Sequence, residues 1–490
     1  MWVGASIPGP STEGSVNLSS LSTVRKLTAA AQTDITTLRF ITGSAITFGA
    51  QCASTGRRQC VDFEANFVLP MQGQVIGAKS SVSVPTPNTQ NPTPTQGSIV
   101  DHASGKRRIR AILLLHELSR TGAPKIAIEA FESLRDRVDT LAISLQHGEM
   151  EGAVTAFAPL HVLPEPPSTS VTPKEPGFFE KRAMERERRV WADRFAAFNA
   201  DIIYANSVAS LPVAHFVQLP DLPVLLHVHE LDMLIEWYDR LNPYRTRQWP
   251  TRFIAVADAV KEVLVNSLGI DPDKVARVPE FFDESTLQRA ISSIPPRVQT
   301  EGRPFVVGGA GRIQWRKGFE LWLQTAAYLK EKLGATTVRF VWVGGEDDMR
   351  EAEMRLTVRK LDLADCVTII PMTGDPFSHY AEFDTFLMTS WEDPFPIVVL
   401  ETMAMGKPVI CVKGSGGPAE QVADTGIVVE RFDASLLGEA VLRLVREPEL
   451  AERFSAAARD RATRSFSKSV VVPQIFAEIE RTIRIGRGGV

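Results

Sequence analysis

Cysteine is scarce. The 490-residue chain holds four (Cys52, Cys60, Cys366 and Cys411), scattered and without a C-x-x-C pair. That spacing excludes a disulfide framework and a structural zinc site, and it suits a reducing cytosol. Also missing is any apolar run near the ~18–20 residues that cross a bilayer. The opening residues, MWVGASIPGP, lack the charged-then-apolar layout of a secretory signal, so a cytoplasmic protein is expected. Neither sign of charge is in large excess. A formal net charge of −4 sets up no global field to attract nucleic acid, and no nucleic-acid partner is expected. Any anion that binds must be held by local groups.

Charge is thin at the start. Residues 1–100 carry ten charged side chains, against 23% in the chain as a whole, and end in the tract VPTPNTQNPTPTQG (84–97), which cannot build a core. Residues 1–105 therefore read as a mostly disordered extension, with room for short strands around 37–50 and 60–69. From Arg108 short apolar runs alternate with amphipathic helices. Strands are expected at 110–115, 139–144, 201–205, 223–228 and 252–256, with a helix from Pro124 to Leu134. A second series is expected at 304–309, 338–343, 367–370, 385–388 and 408–412. Apolar strands that do not alternate, separated by helices, mean parallel sheets covered on both faces. Two such series imply an α/β protein of two doubly wound, Rossmann-like domains facing a cleft. Their expected bounds are 106–295 and 296–465, divided near a Ser/Pro stretch at 292–302. A further long loop is expected at 164–177, PEPPSTSVTPKEPG. Ligands of such sheets lie beyond the carboxyl ends of the strands.

Two stretches carry chemistry. The first is GAGRIQWRKG (309–318), between a strand and a helix. It opens like a dinucleotide fingerprint, but Gln314 stands where the third glycine belongs. Its charges say more. Arg312 and Lys317 share a strand-to-helix loop, where helix amides already favour an anion. A guanidinium and an ammonium together suit a diphosphate. The plainer alternative is a solvated basic loop, which fits Arg316. The second stretch is WEDPFPIVVLE (391–401), with helical spacing from Ile397 to Met405 and proline in the first turn. Asp393 hangs before that helix and Glu401 lies about one turn inside it. Carboxylates so placed are not phosphate ligands, but they can accept hydrogen bonds from sugar hydroxyls. The alternative is a capping Asp393 and a buried, satisfied Glu401.

DPFPIVVLE (393–401), followed by MAMGKPVI (403–410), resembles the E-x7-E motif of glycosyltransferase family 4, the retaining glycosyl transferases of group 1 with the GT-B fold. The upstream loop GRIQWRKG (311–318) is similar to that family's Gly-Arg…Lys-Gly loop. HELSRTGAP (116–124), DIIYANS (201–207), LHVHEL (226–231), FIAVADA (253–259) and VPEFFD (278–283) fall in the family's order. The resemblance covers about 107–484 and implies that 466–490 forms a helix crossing back to the first domain, and a tail. Two departures stand out. Asp393 is one methylene shorter than the usual Glu, with Glu392 just before it, so a shift of one residue would put Glu392 to work instead. Pro396 replaces a common glycine.

The resemblance implies a donor nucleotide-sugar, UDP- or GDP-linked, in the C-terminal domain and a saccharide or lipid-linked acceptor in the N-terminal one. Arg312 and Lys317 would neutralise the leaving diphosphate, aided by amides of Gly122 and of Ile397 and Val398 at the helix start, with Gly311 in the donor-binding loop. Glu401 would hold ribose hydroxyls and Asp393 the sugar, with Phe395 in the same loop. Ile370 to Met372 would line the base pocket. His229 would approach the reacting sugar, while His227 would be structural. His116, Glu117 and Glu230 would face the acceptor. No cofactor and no divalent metal is implied. The expected activity is retaining sugar transfer in cell-surface polysaccharide or glycoconjugate synthesis. KRRIR (106–110) and the expected helix at 178–195 combine basic and aromatic residues and leave open a peripheral membrane contact at the inner face. Competing readings are a nucleotide-sugar-binding protein without turnover and a nicotinamide-dependent oxidoreductase.

Overall fold

The computed structural model describes residues 107–163, 178–217, 219–241, 244–295, 302–346 and 348–488. These residues fall within one compact unit of the chain. The expectations for 1–105, for the loop at 164–177 and for most of the 292–302 stretch lie outside the described residues.

Two sheets organise the unit. The first contains β1 (Ile109–Leu115), β2 (Val138–Ser144), β3 (Leu160–Val162), β4 (Ile202–Asn206), β5 (Val224–Val228), β6 (Arg252–Ala255) and β7 (Val275–Arg277). Its order is β3-β2-β1-β4-β5-β6-β7, and every neighbouring pair is parallel. The second contains β8 (Phe305–Ala310), β9 (Val338–Gly345), β10 (Val367–Pro371), β11 (Thr385–Met388), β12 (Val409–Val412) and β13 (Ile427–Val429). It runs β10-β9-β8-β11-β12-β13, again all parallel. The expected strands are present with ends shifted by a residue or two. Three were not expected: β3, β7 and β13, each three residues long and each at a sheet edge. So short a run carries no periodicity to read.

Both sheets reverse direction of growth once, between β1 and β4 and between β8 and β11. At such a switch point the loops leaving the two central strands diverge and open a crevice. The loops there are the two that drew attention in the sequence. Helix α1 (Gly122–Ser133) follows β1, α2 (Phe319–Leu333) follows β8, and α3 (Ile397–Ala404) follows β11. The strands are buried because both faces are covered: Ile112, Leu113, Leu114, Ile203, Phe253 and Phe386 have no exposed surface.

The chain passes between the sheets twice, at one place. Phe282 pairs with Ser467, through Phe282 N–H to Phe466 O (3.1 Å) and Lys468 N–H to Phe282 O (3.0 Å). Helix α4 (Pro448–Phe466) belongs with the second sheet and packs on α3, whereas α5 (Lys468–Gly486) lies on α1, β4 and β5 of the first.

Candidate active site

The loop after β8 is set by its backbone. Trp315–Lys317 form one turn of 3-10 helix, and Gly318 closes it at φ +62° before α2 begins. A Cβ on Gly318 would lie 2.0 Å from Thr389 O, so this loop and the end of β11 sit against each other. Lys317 extends over Gly311 and places Nζ 2.5 Å from Asp393 Oδ2. Arg312 is half-exposed, with Nε 3.0 Å from Glu346 Oε1 beyond β9. Arg316, expected to be solvated, pins the neighbouring loop instead: its guanidinium donates to Glu392 O (3.2 Å), and its carbonyl accepts from Trp391 N–H (2.8 Å).

Asp393 is buried and held at both backbone atoms, donating to Ser415 O (2.7 Å) and accepting from Gly417 N–H (3.1 Å). It is Asp393, not Glu392, that meets Lys317; burial raises the Glu392 carboxyl above its usual range. Pro396 is the N-cap of α3 rather than a first-turn residue, so the extended backbone at ψ 121° turns into the helix at Ile397. Glu401 lies one turn in, nearly buried, with the Lys125 ammonium of α1 3.4 Å from Oε1. Burial alone would lower Lys125, but the carboxylates of Glu401 and Glu129 outweigh it and hold the ammonium above its usual range.

The starts of α1 and α3 face each other. A Cβ on Gly122 would come 4.0 Å from Ile397 Cδ1, and Ile397 packs on the core of the first sheet. Two helix amino ends with free N–H groups and positive dipole ends thus converge. The charge of Arg312 contributes to lowering the Glu117 carboxyl. Burial pushes Glu117 up, but hydrogen bonds from Ser119 Oγ (2.6 Å) and Thr121 Oγ1 (3.0 Å), with His116 and Arg312, more than offset it. His116 is lowered mainly by burial, and its Nδ1 has no hydrogen-bond partner among the described residues. Ile370 and Met372 flank the end of β10, where Met372 is exposed and donates its N–H to Gly345 O (2.7 Å).

Three expected site residues point elsewhere. Phe395 is buried edge-on against Phe466 with the Arg277 guanidinium over its ring, a core contact and not a cleft-facing one. Glu230 turns inward and accepts from Ser207 Oγ, Val208 N–H (3.3 Å) and His229 N–H (3.0 Å). His229 has a side chain only 2% exposed, with both ring nitrogens engaged, Nδ1 by Glu280 and Nε2 by Asn206. His227, read as structural, bonds the Tyr204 hydroxyl (2.6 Å) and packs its ring against that of His229.

Comparison with known proteins matches residues 138–286 to the model of "Glycosyltransferase Family 4" and residues 292–461 to "Glycosyl transferases group 1". Each sheet falls largely within one of these spans. The chain belongs to glycosyltransferase family 4. It is 25% identical over 318 residues to D-inositol 3-phosphate glycosyltransferase of Pseudarthrobacter chlorophenolicus, covering 61% of this chain and 74% of the relative. With human alpha-1,3/1,6-mannosyltransferase ALG2 the figures are 24% over 412 residues, 76% of this chain and 96% of the relative. The crystal structure of Anabaena HepE in complex with UDP superposes at TM-score 0.60 and 18% identity, over 76% of this chain and 100% of HepE. Sucrose-phosphate synthase of Thermosynechococcus elongatus gives 0.58 and 17%, over 76% and 99%. At these identities the likeness is one of fold, and the fold is GT-B.

In this glycosyltransferase, sequence reasoning missed Lys125, Asn206 and Glu280. Lys125 is a lone ammonium in an apolar helix face, Asn206 is a single polar residue at the end of β4, and Glu280 is one in the segment that leaves β7. Their partners lie 276, 23 and 51 residues away. A sequence offers no signal for contacts of that kind.

Proposed function

We propose that this glycosyltransferase moves a sugar, with retention of anomeric configuration, from a UDP- or GDP-linked donor to a saccharide or lipid-linked acceptor in cell-surface glycoconjugate synthesis. The observation that supports the reading is that the Lys317 ammonium meets Asp393 beside a place where the starts of α1 and α3 come together. In the proposed step the bond from the anomeric carbon to the leaving phosphate oxygen breaks, and the acceptor oxygen bonds to the same face of that carbon. The acceptor's proton passes to the departing phosphate. Charge grows on the diphosphate as this happens, so groups that hold it there lower the barrier. Arg312, Lys317 and the amides of Gly122, Ile397 and Val398 are assigned that work, with Gly311 leaving room for Lys317. Asp393 and Glu401 take hydrogen bonds from sugar and ribose hydroxyls, sharing or exchanging their contacts with Lys317 and Lys125. Ile370 and Met372 border the base. The half of the chain before about residue 295 takes the acceptor, near His116 and Glu117, and the half after it the donor.

The test is a thermal-shift panel of UDP- and GDP-sugars on the full chain, followed by nucleotide release with acceptor extract. A donor that binds the folded form raises Tm with the logarithm of its concentration. Stabilisation with acceptor-dependent nucleotide release, unchanged by chelator, supports the proposal. Stabilisation without release points to a binding protein, and a response to nicotinamide nucleotides alone overturns it. Among the described residues no helix is long and apolar enough to cross a membrane. A peripheral contact through 106–110 and 178–195 is proposed with the same reading, and failure to sediment with anionic vesicles removes it.

A further inference from the structure

The contacts around His229 determine where its hydrogens lie. The carbonyl of Ala123 can only accept, so the Asn206 amide presents its NH2 to it at 2.9 Å and its oxygen to His229 Nε2 at 2.9 Å. Nε2 therefore carries a hydrogen. The other ring nitrogen, Nδ1, lies 2.9 Å from Glu280 Oε1, and one hydrogen, on Nδ1 or on the carboxyl, makes that contact attractive. With both nitrogens committed, the imidazole offers no lone pair to an acceptor hydroxyl. His229 is thus not a base in the reaction, but the middle of a directional run from Glu280 through Asn206 to the carbonyl of Ala123.

The ends of that run matter. Glu280 is buried in the segment leaving β7, two residues before Phe282, where the chain crosses towards the second sheet. Ala123 is the second residue of α1, next to Gly122, a Cβ on which would lie 4.0 Å from the Ile397 side chain at the start of α3. We propose that Glu280 and Asn206 are positioning residues for glycosyl transfer, which tie the crossover to the start of α1 and so aim its free amides into the crevice. The ligand of those amides rests on the donor reading above; the run itself does not.

Other ionisable groups face the run from each side. His227 lies against His229, with ring centroids 4.0 Å apart and planes tilted by 41°, and is held well below its usual range by burial. His116, after β1, is likewise lowered by burial and lies in the field of His229. Glu230 accepts from the His229 N–H, and Asp393 adds its charge from the opposite loop to a Glu280 carboxyl that burial already raises. The surroundings are acidic and closed, so the single hydrogen between His229 and Glu280 is what keeps the run attractive. Glutamine at 280 would donate its NH2 to a bare Nδ1 and leave Nε2–H in place, with no such hydrogen to lose.

Hydrogen–deuterium exchange of the full chain, reading protection of 120–126, tests this directly. UDP and GDP affinity by titration calorimetry is the second readout. Glu280→Ala and Asn206→Asp should each lower that protection and weaken nucleotide binding about tenfold, the loss of one buried hydrogen bond to a charged or coupled group. Glu280→Gln should match the wild type at neutral pH. As pH rises, wild-type protection should fall while that of Glu280→Gln holds. Unchanged protection in folded Glu280→Ala or Asn206→Asp overturns the proposal, as does Glu280→Gln behaving like Glu280→Ala. If Glu280→Ala fails to fold, Asn206→Asp decides. Should neither nucleotide bind the wild type, the donor reading falls, while the protection result still judges the run.

Discussion

The ammonium of Lys317 meets two demands. It neutralises a carboxylate that is itself 7% exposed, Asp393, and in the proposed reaction it also faces the leaving diphosphate. Lys317→Ala should therefore lower turnover by about 100-fold or more, the scale of a lost transition-state contact. It should also cost roughly 3 kcal/mol, because Asp393 would be left as an unpaired buried charge. Adding Asp393→Asn should restore most of the stability and none of the turnover; urea melts and initial rates separate the two. Recovery of rate in the double variant would show that the cation is not needed. Lys125 gives a pH test. Its ammonium is raised in the folded state above the ordinary 10.5. The stability it contributes is complete below that value and is lost as pH climbs through the folded one. The Tm gap between wild type and Lys125→Met should hold steady from about pH 7 to about 9 and narrow above about 10.5.

At the level of elements, the crevice depends on strand-to-helix turns of tight shape. Gly318 combines a positive φ with backbone contact to Thr389, whereas Gly334, at φ +79°, has open space around its missing side chain. Gly334→Ala tests strain alone. Gly318→Ala adds a clash beside Lys317 and should be the more destabilising, by about 1–3 kcal/mol on calorimetry, with turnover lowered as well. Equal melts for the two would mean the loop gives way. These turns were legible in the sequence because glycine, proline and charge mark them over a few residues. The edge strands were not, since three residues pair only where a neighbour's edge is offered. Phe395 misled for a related reason: motif position puts it in the cleft loop, but the pocket beside Phe466 takes its ring out of water.

Across the whole molecule, α5 holds the two halves as one unit. Its Val471, Val472, Ile475, Phe476, Ile479 and Ile483 are buried in the core of the first sheet. At about 1.5–3 kcal/mol for each fully buried apolar side chain, their removal is comparable with the ~5–15 kcal/mol that a folded domain has to lose. A chain ending at Phe466 should lack a cooperative melt by circular dichroism; one that melts as the full chain does would show that the second crossing is dispensable.

Sequence by itself determined the parallel sheets, the two switch-point loops and the family, because apolar runs, turn residues and motif spacing are written locally. It also named Arg312, Lys317, Asp393, Glu401 and Gly122. Tertiary structure decided which acid meets Lys317, that Lys125 reaches Glu401, and that His229 is buried between Glu280 and Asn206. Those are contacts between residues far apart in the chain. Their geometry follows from how two sheets and their crossover pack, which no local pattern encodes.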